Sequence, residues 1–188
     1  MSTILVNTIK DTGNNTLLSS DGSGSVTASS SLASSVQSVG GIQNTPAFEA
    51  FPSGNQTISS GTFTKMNFAN EKYDTDSAFD TSTSLFTVPS GQAGTYFFFG
   101  AVCWLNSSAW SGQYIMRLLA QRGGSDLSDN RGFGYHTGAE EGATVQFIID
   151  LAVGDTVQFQ AYQNTGSSRD TYESTGTNRF GGYKLIGA

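Results

Sequence analysis

Cys103 and His136 are the only cysteine and the only histidine in the 188 residues of the sequence. Nucleophilic catalysis of the Ser-His-Asp or Cys-His type needs a base close to its nucleophile, and a zinc site needs several Cys and His ligands. Cys103 lies in the strand-like run AVCW, which is typical of a buried structural thiol. His136 lies in the glycine-rich run GFGYHTG, which is typical of a surface loop. The sequence therefore predicts a protein that is not an enzyme and has no zinc site.

Three carboxylates, Asp74, Asp76 and Asp80, fall within seven positions. Hard cations such as calcium bind several oxygen ligands, so a calcium site is one interpretation of this spacing. The spacing is not that of an EF-hand, and a solvated acidic loop is the interpretation we favour. We therefore predict no cofactor, with calcium at these three residues as the alternative. The remaining neighbouring acidic pairs are interpreted as solvated turns: Asp126 with Asp129, and Glu140 with Glu141.

Composition excludes several classes of partner. The formal net charge is −6, and only 13% of the residues are charged, so the chain lacks the basic cluster that nucleic acids or anionic membranes attract. No apolar stretch approaches the roughly 20 residues of a membrane span, and no secretory signal is present at the N-terminus. We expect synthesis in a host cytoplasm without disulfides, and assembly into a virus particle released by lysis.

Three regions of different composition divide the chain. Residues 1–27 alternate short apolar pieces with turn signals, which predicts two or three short strands. A unit of this size cannot bury enough apolar surface to be stable alone, so it is interpreted as an attachment arm, with a flexible tail as the alternative. Residues 28–44 form a Ser/Gly-rich linker with a weak helical tendency near 32–36. Residues 45–188 form the head.

The head contains short strand-like segments with regularly spaced turn signals, which favours an all-β sandwich or jelly roll. Two of its runs, 97–99 (FFF) and 147–149 (FII), are apolar at consecutive positions. Such runs predict strands that are covered on both faces, one by the core and the other by a neighbouring subunit. The predicted strands are 46–51, 57–58, 62–69, 85–88, 94–105, 114–121, 143–151, 155–162 and 180–186.

Six short motifs occur in a fixed order along the head. They combine an opening aromatic strand, an aromatic-Asn-Tyr-Asp segment, Phe-x-x-Pro, Gly-x-Tyr-x-Phe, a Gly-Asp turn and a closing aromatic strand. The motifs are 46–51 (PAFEAF), 68–74 (FANEKYD), 86–89 (FTVP), 94–98 (GTYFF), 151–157 (LAVGDTV) and 180–185 (FGGYKL).

This series resembles the C1q-like domains of the C1q/tumour-necrosis-factor superfamily over nearly the whole head. The segment 75–85 (TDSAFDTSTSL) is longer than in animal members, and no collagen stalk is present, so the variety it resembles is that of bacteria and phages. The resemblance implies a ten-stranded jelly roll that forms a homotrimer and serves binding rather than chemistry. We assign five aromatic residues to the trimer interface or core: Tyr96, Phe98, Phe147, Phe159 and Tyr183.

The arm carries a second resemblance. Residues 2–9 (STILVNTI) and 18–24 (LSSDGSG) are similar to the starts of structural and fibre proteins of marine tailed phages. The resemblance implies that the arm binds capsid or tail proteins. Its apolar residues are the predicted contacts: Ile4, Val6, Ile9 and Leu17.

Three polar connections, 106–112, 123–141 and 164–178, look longer than turns, and long loops on a rigid sandwich commonly carry recognition. Trp110, Tyr135 and Tyr172 are their candidate contacts for a host glycan or protein, with packing at the loop base or trimer seam as the alternative. We therefore predict a trimeric phage fibre-tip or capsid-decoration protein whose head adheres to a host. The alternatives are a capsid cement protein with no receptor role and a bacterial C1q-like carbohydrate-binding protein.

Overall fold

A computed structural model describes residues 7–23, 25–29, 44–105, 111–136, 141–172 and 176–185. Every regular element in these ranges is a β-strand, which confirms the all-β prediction. None of these ranges contains a helix long and apolar enough to cross a membrane. The chain divides into two compact units, Met1–Gln43 and Asn44–Ala188, so the boundary falls one residue before the predicted start of the head. Most of the predicted linker, including its helical tendency near 32–36, lies outside the described residues.

The N-terminal unit is a three-stranded antiparallel meander. Short polar side chains close its two turns. The Asp11 carboxylate accepts a hydrogen bond from the Asn15 backbone N–H at 2.8 Å, and the Asp21 carboxylate accepts one from Ser23 at 2.8 Å. The strands are β1 (Thr8–Lys10), β2 (Thr16–Ser20) and β3 (Val26–Ala28), with β2 in the centre.

The head is a sandwich of two antiparallel sheets. The first sheet has five strands, each paired with the next in the following order: β13 (Glu141–Leu151), β10 (Gly94–Trp104), β16 (Arg179–Lys184), β4 (Ala47–Phe51) and β7 (Asn70–Asp74).

The second sheet has six strands, of which β6 (Thr64–Lys65) pairs only with β14 (Thr156–Gln163). A separate pair, β5 (Thr57–Ile58) with β15 (Arg169–Asp170), lies outside both sheets. The remaining order of the second sheet is β12 (Ser125–His136), β11 (Gly112–Arg122), β14 (Thr156–Gln163), β9 (Leu85–Thr87) and β8 (Phe79–Asp80).

Aromatic side chains fill the space between the sheets. The ring of Phe48 stacks on Phe79 with centroids 4.8 Å apart and meets Phe180 edge-on at 5.0 Å. Along β10 the inward residues Tyr96 and Phe98 are fully buried, while the intervening residues point away from the core. Since strand side chains alternate between faces, the aromatic run of β10 serves the core and the outer surface at once.

The Gly-Asp turn of the 151–157 motif has a structural role. The Asp155 side chain is buried, and its carboxylate accepts hydrogen bonds from Arg122 Nε at 2.8 Å and from the Ala152 backbone N–H at 2.7 Å. The Arg122 hydrogen bond is the main cause of a pKa of Asp155 below its usual 3.8, against the opposing effect of burial. This carboxylate therefore fixes the turn between β13 and β14 to the end of β11.

The prediction of a long connection over 123–141 is wrong. Gly123 and Gly124 have φ of 55° and 84° and form a two-residue hairpin turn, after which β12 pairs with β11 along its length. The inward positions of β12 are too close to their neighbours for larger side chains: a Cβ on Gly134 would lie 2.2 Å from the Tyr114 ring. A strand with inward glycines lacks the apolar alternation by which strands are predicted.

Other segments differ from the predicted set. Of the strand predicted over 62–69, only Thr64–Lys65 is a strand. The strands Asn70–Asp74, Phe79–Asp80 and Arg169–Asp170 were not predicted, because polar residues dominate the first and the other two have only two residues each. The first two border turns in which aspartate side chains rather than apolar alternation organise the backbone.

Candidate interaction surfaces

The outer surface of the five-stranded sheet carries an apolar cluster, which we call the aromatic face: Phe97, Phe99, Ile148 and Tyr183. Phe97 is paired across the strands with both Ile148 and Tyr183, so these three side chains point to the same side. The Phe97 ring centroid lies 5.4 Å from that of Tyr183 and 6.3 Å from that of Phe99. Ile148 is 63% exposed, although it lies on a central stretch of a long strand. The cluster therefore has no cover within the described part of the head.

Small residues make the aromatic face flat. Gly181 lies beneath Phe99, because a Cβ there would come within 2.5 Å of the Phe99 ring. The Arg179 guanidinium lies 5.9 Å from the centroid of the Phe99 ring. An open groove of about 340 Å³ adjoins Phe99 and is lined in part by Ala101 and Thr144. The groove extends the apolar cluster toward Ala101 and Thr144.

Four of the five residues assigned to the trimer interface or core belong to the core. Tyr96, Phe98 and Phe159 are fully buried within one chain and Phe147 is 6% exposed, so none of them can contact a partner. Burial, together with the negative charge of Asp76, raises the pKa of Tyr96 to about 12. Only Tyr183 lies on the outer surface. The other four confirm the core part of the assignment, because they occupy inward positions of their strands.

The outer surface of the six-stranded sheet is different, and we call its central group the polar face: Lys65, Arg117, Asp129, Arg131 and Gln160. Arg117 Nε donates to Gln160 Oε1 at 2.8 Å, and Arg117 Nη1 donates to Asp129 at 3.3 Å. Arg131 Nε donates to the same carboxylate at 2.9 Å. Lys65 Nζ donates to a backbone carbonyl, that of Thr83, at 2.5 Å. The polar groups of this face are thus bonded mainly to one another.

An aromatic ring lies on the polar face. The Arg117 guanidinium is 4.0 Å from the centroid of the Phe63 ring, and that of Arg131 is 5.2 Å away. The hydrogen bond from Arg131 is the main cause of a lowered pKa at Asp129, with burial opposing it and the charge of Arg117 assisting. Asp129 therefore stays ionised between two arginines at neutral pH.

Two exposed aromatic residues on β12, Phe133 and Tyr135, extend the outer surface of the six-stranded sheet beyond the polar face. We call this pair the ring platform. Phe133 is 62% exposed and Tyr135 is 61% exposed. Tyr135 is thus exposed as predicted, but it lies on a strand and not in a loop. Phe133 was not predicted, because its neighbours suggested a glycine-rich loop. The backbone of His136 ends β12.

The other predicted contact residues have separate positions. Tyr172 is 37% exposed, and its backbone N–H donates to the Cys103 carbonyl at 2.9 Å. Trp110 lies outside the described residues. Cys103 is only half-buried and lies among the outward positions of β10, so the prediction of a buried thiol is wrong in degree. The outward position follows from strand parity, since Val102 and Trp104 take the core positions.

The three aspartates of the calcium interpretation serve separate turns. The Asp74 carboxylate accepts hydrogen bonds from the backbone N–H groups of Ala78 at 3.1 Å and Phe79 at 2.9 Å. The Asp80 carboxylate accepts from the Ser82 backbone N–H at 2.8 Å, and that of Asp76 accepts from a neighbouring threonine hydroxyl. Among the described residues, no group of three Asp, Glu, His or Cys side chains is placed to hold a metal ion.

The meander has an apolar surface of its own. Ile9 pairs with Leu18, and Val26 pairs with Ser20, so Ile9, Leu18 and Val26 share one face. Ile9 is 47% exposed and Val26 is 65% exposed, beside a small groove of about 160 Å³. Leu17 lies on the opposite face and is half-buried. The predicted contacts Ile4 and Val6 lie outside the described residues.

Comparison with solved structures identifies the fold. The globular domain of zebrafish complement 1qA protein is 18% identical, with a TM-score of 0.54, and the match covers 75% of this chain and 97% of that one. Eiger TNF from S. frugiperda is 15% identical, with a TM-score of 0.52 over 76% and 93% of the two chains. Murine APRIL at pH 5.0 is 12% identical, with a TM-score of 0.56 over 74% and 98%. No family model and no curated protein sequence matches the chain. The likeness shows a C1q/TNF-like jelly-roll fold, as predicted.

Proposed function

We propose that this chain is a homotrimeric structural protein of a tailed-phage particle, a fibre tip or capsid decoration. In this proposal the meander binds the particle and the C1q-like head is exposed for adhesion to a host. The uncovered aromatic face is the observation that carries the proposal. Apolar rings on a rigid sheet favour cover, because removing apolar surface from water is worth about 25 cal/mol per Å².

A trimer covers the aromatic face of every copy and closes on itself as a ring. The aromatic face lies on one side of the five-stranded sheet, so a contact between this face and another part of the next copy is heterologous. Heterologous contacts that close into a ring leave no face uncovered, whereas open ones form filaments. The C1q/TNF-like fold and the resemblance of the motifs both support three as the number of copies.

The meander supports attachment. Three strands of three to five residues cannot form a core, and a small sheet needs a hydrophobic partner to be stable. Its face of Ile9, Leu18 and Val26 offers the apolar surface for that partner. Among the described residues, no strand pairs with the outer edge of β1 or of β3, which suits the addition of a strand from another protein. The similarity of residues 2–9 and 18–24 to phage structural proteins supports a capsid or tail protein as the partner.

The test is the presence of the chain on purified particles of its source virus. An antibody raised against residues 44–188 is expected to label intact particles in electron microscopy. Chain carrying Ile9→Asp and Val26→Asp is expected to lose its place on the particles. Chain carrying Thr8→Asp and Thr27→Asp, at exposed positions of the same two strands on the opposite face of the meander, is the matched control and is expected to keep its place.

Three results separate the alternatives. Particles without label contradict the proposal and leave the bacterial carbohydrate-binding protein. Labelled particles whose purified head does not bind host cells favour the cement protein over the adhesion protein. Equal incorporation of the Ile9→Asp, Val26→Asp chain contradicts the role of the meander.

A further inference from the structure

The ring platform lies on rigid backbone. Phe133 and Tyr135 are two positions apart on β12, which pairs with β11 through eleven register positions. Two strand residues span about 7 Å, so the two rings stand side by side on one face. Large exposed rings on a rigid strand bind with little loss of side-chain freedom, because aromatic side chains have only two rotatable bonds.

The surface next to the ring platform is closely packed with apolar side chains. Ile115 lies between the two neighbouring strands, paired with Phe133 on one side and Tyr162 on the other, and it is only 8% exposed although it points outward. The Tyr162 ring lies 5.1 Å from the ring of Phe63. The rings therefore stand at the border of a continuous apolar strip across β14, β11 and β12.

The apolar strip lies next to a positively charged group of residues, although the chain as a whole is acidic. The polar face carries three cations, Lys65, Arg117 and Arg131, and one carboxylate, Asp129. Its formal charge is +2, whereas the whole chain has −6. The next carboxylate along β12 is Asp126, which accepts a hydrogen bond from Gln121 at 2.9 Å. The charge next to the platform therefore attracts an anionic ligand.

Arg131 is the cation best placed to bind one. It is two positions from Phe133 on the same strand and points to the same side. Of the five N–H groups of its guanidinium, Nε–H and one on Nη2 donate to Asp129, and no described residue accepts from the other three. Asp129 fixes the orientation of the group, so these donors are held in place for a carboxylate.

We infer that the ring platform and Arg131 bind an acidic polysaccharide, with sugar rings stacked on Phe133 and Tyr135 and a uronate carboxylate on the guanidinium. Extended polysaccharides suit an open row of rings on a strand, whereas an enclosed pocket suits a small ligand. The polar face and the aromatic face are opposite surfaces of a two-sheet sandwich, so a ligand on the ring platform does not compete for the aromatic face. The inference rests on the proposed adhesion function and names its ligand class.

Calorimetric titration of the full chain with an oligogalacturonate and with its uncharged methyl ester tests the inference. We expect the acid form to bind at least about tenfold more tightly than the ester. We expect Phe133→Ala with Tyr135→Ala, and separately Arg131→Gln, to weaken binding by about tenfold or more. Leu127→Ala, which removes an exposed apolar side chain on the same strand outside the platform, is the matched control and is expected to bind as the unchanged chain does.

Measuring the solution mass of every variant separates this inference from the proposed trimer. A trimer that binds neither saccharide, or binds acid and ester equally, overturns the inference and leaves the trimer. A platform variant that dissociates shows that the rings pack against a neighbouring copy, which also overturns it. A monomer whose binding depends on Phe133, Tyr135 and Arg131 supports the inference and overturns the trimer.

Discussion

The outer surfaces of the two sheets of the head differ in what surrounds their exposed groups. On the polar face, Arg117, Arg131 and Gln160 are bonded to one another or to Asp129, and the Phe63 ring lies against the guanidinium groups. On the aromatic face, the ring centroids of Phe97 and Tyr183 are 5.4 Å apart, and a hydrogen bond from Thr95 Oγ1 to Asp150 at 2.5 Å lies at the margin of the cluster.

This difference separates a group of polar side chains that are largely bonded to one another from an apolar cluster that nothing in the described head covers. Polar groups that bond to their neighbours lose little by staying exposed, and a partner that displaced them would have to replace those bonds. Covering apolar rings is favourable in free energy, because it removes apolar surface from water. We therefore expect changes on the aromatic face to alter assembly, and changes on the polar face to alter the stability of the single subunit.

Ile148→Glu is expected to have the largest effect, the loss of the trimer. Burying a carboxylate without a partner is penalised by several kcal/mol, and this penalty occurs in each of three copies. The side chain is 63% exposed in the single chain, so the subunit is expected to fold normally. Light scattering measures the mass, and circular dichroism measures the fold. Val153→Glu, in the exposed turn after β13, is the control, and a trimeric Ile148→Glu chain would contradict the assigned face.

Arg117→Met is expected to lower the free energy of unfolding by about 1–3 kcal/mol without changing the mass. The substitution keeps much of the apolar stem but removes the donors to Gln160 Oε1 and to Asp129. Urea denaturation with light scattering measures both quantities. Gln113→Met, an exposed position on the same strand, is the control. Dissociation of the Arg117→Met trimer would place this face in the interface.

The Asp129 carboxylate is expected to contribute to acid sensitivity. Its folded pKa lies below the usual 3.8, so its contribution to stability is present above that pH and is lost as the pH falls through the lower folded value. Asp129→Asn is therefore expected to reduce stability at pH 7 and to have little effect at pH 2. Thermal unfolding at several pH values measures this difference. An equal loss at both pH values would show that the charge of Asp129 has no role.

Lys72→Ala is expected to have the smallest effect. Its ammonium lies 3.3 Å from Glu49, and the Lys72 side chain is 65% exposed at the margin of the five-stranded sheet. Exposed ion pairs contribute about 0–1 kcal/mol, and salt weakens them. Urea denaturation in low and high salt measures the contribution. A loss much above this range, unaffected by salt, would show that the interface extends to β7.

The sequence predicted the class of fold and the doubly apolar strands, but it did not predict which residue of each run faces outward. Shifting the register of a strand by one position moves each side chain to the other face of the sheet. In a run such as 97–99, odd and even positions are both apolar, so the pattern does not show which of them face the core. Phe98 and Phe147 were therefore assigned to the interface or core, and the structure places both inside. The outward residues Phe97 and Ile148 were the neighbours in the same runs.

The polar face and β12 were not predictable from local pattern. Arg117 is 12 residues from Asp129 and 43 residues from Gln160, so only the pairing of β11 with β12 and β14 brings them together. Gly132 and Gly134 in β12 are required by close approach of neighbouring atoms, which a sequence does not display. Local sequence patterns thus predict strands that have an apolar face. Strands without one, such as β12, are explained only by their contacts with neighbouring strands.

The solution mass of the unchanged full-length chain, measured by sedimentation over a range of micromolar concentrations, tests the central claim most directly. The covered aromatic face predicts one species of three times the chain mass of 19.8 kDa, stable to dilution. A species of 19.8 kDa at every concentration would contradict the account, because the aromatic face would then be stable in water without a partner.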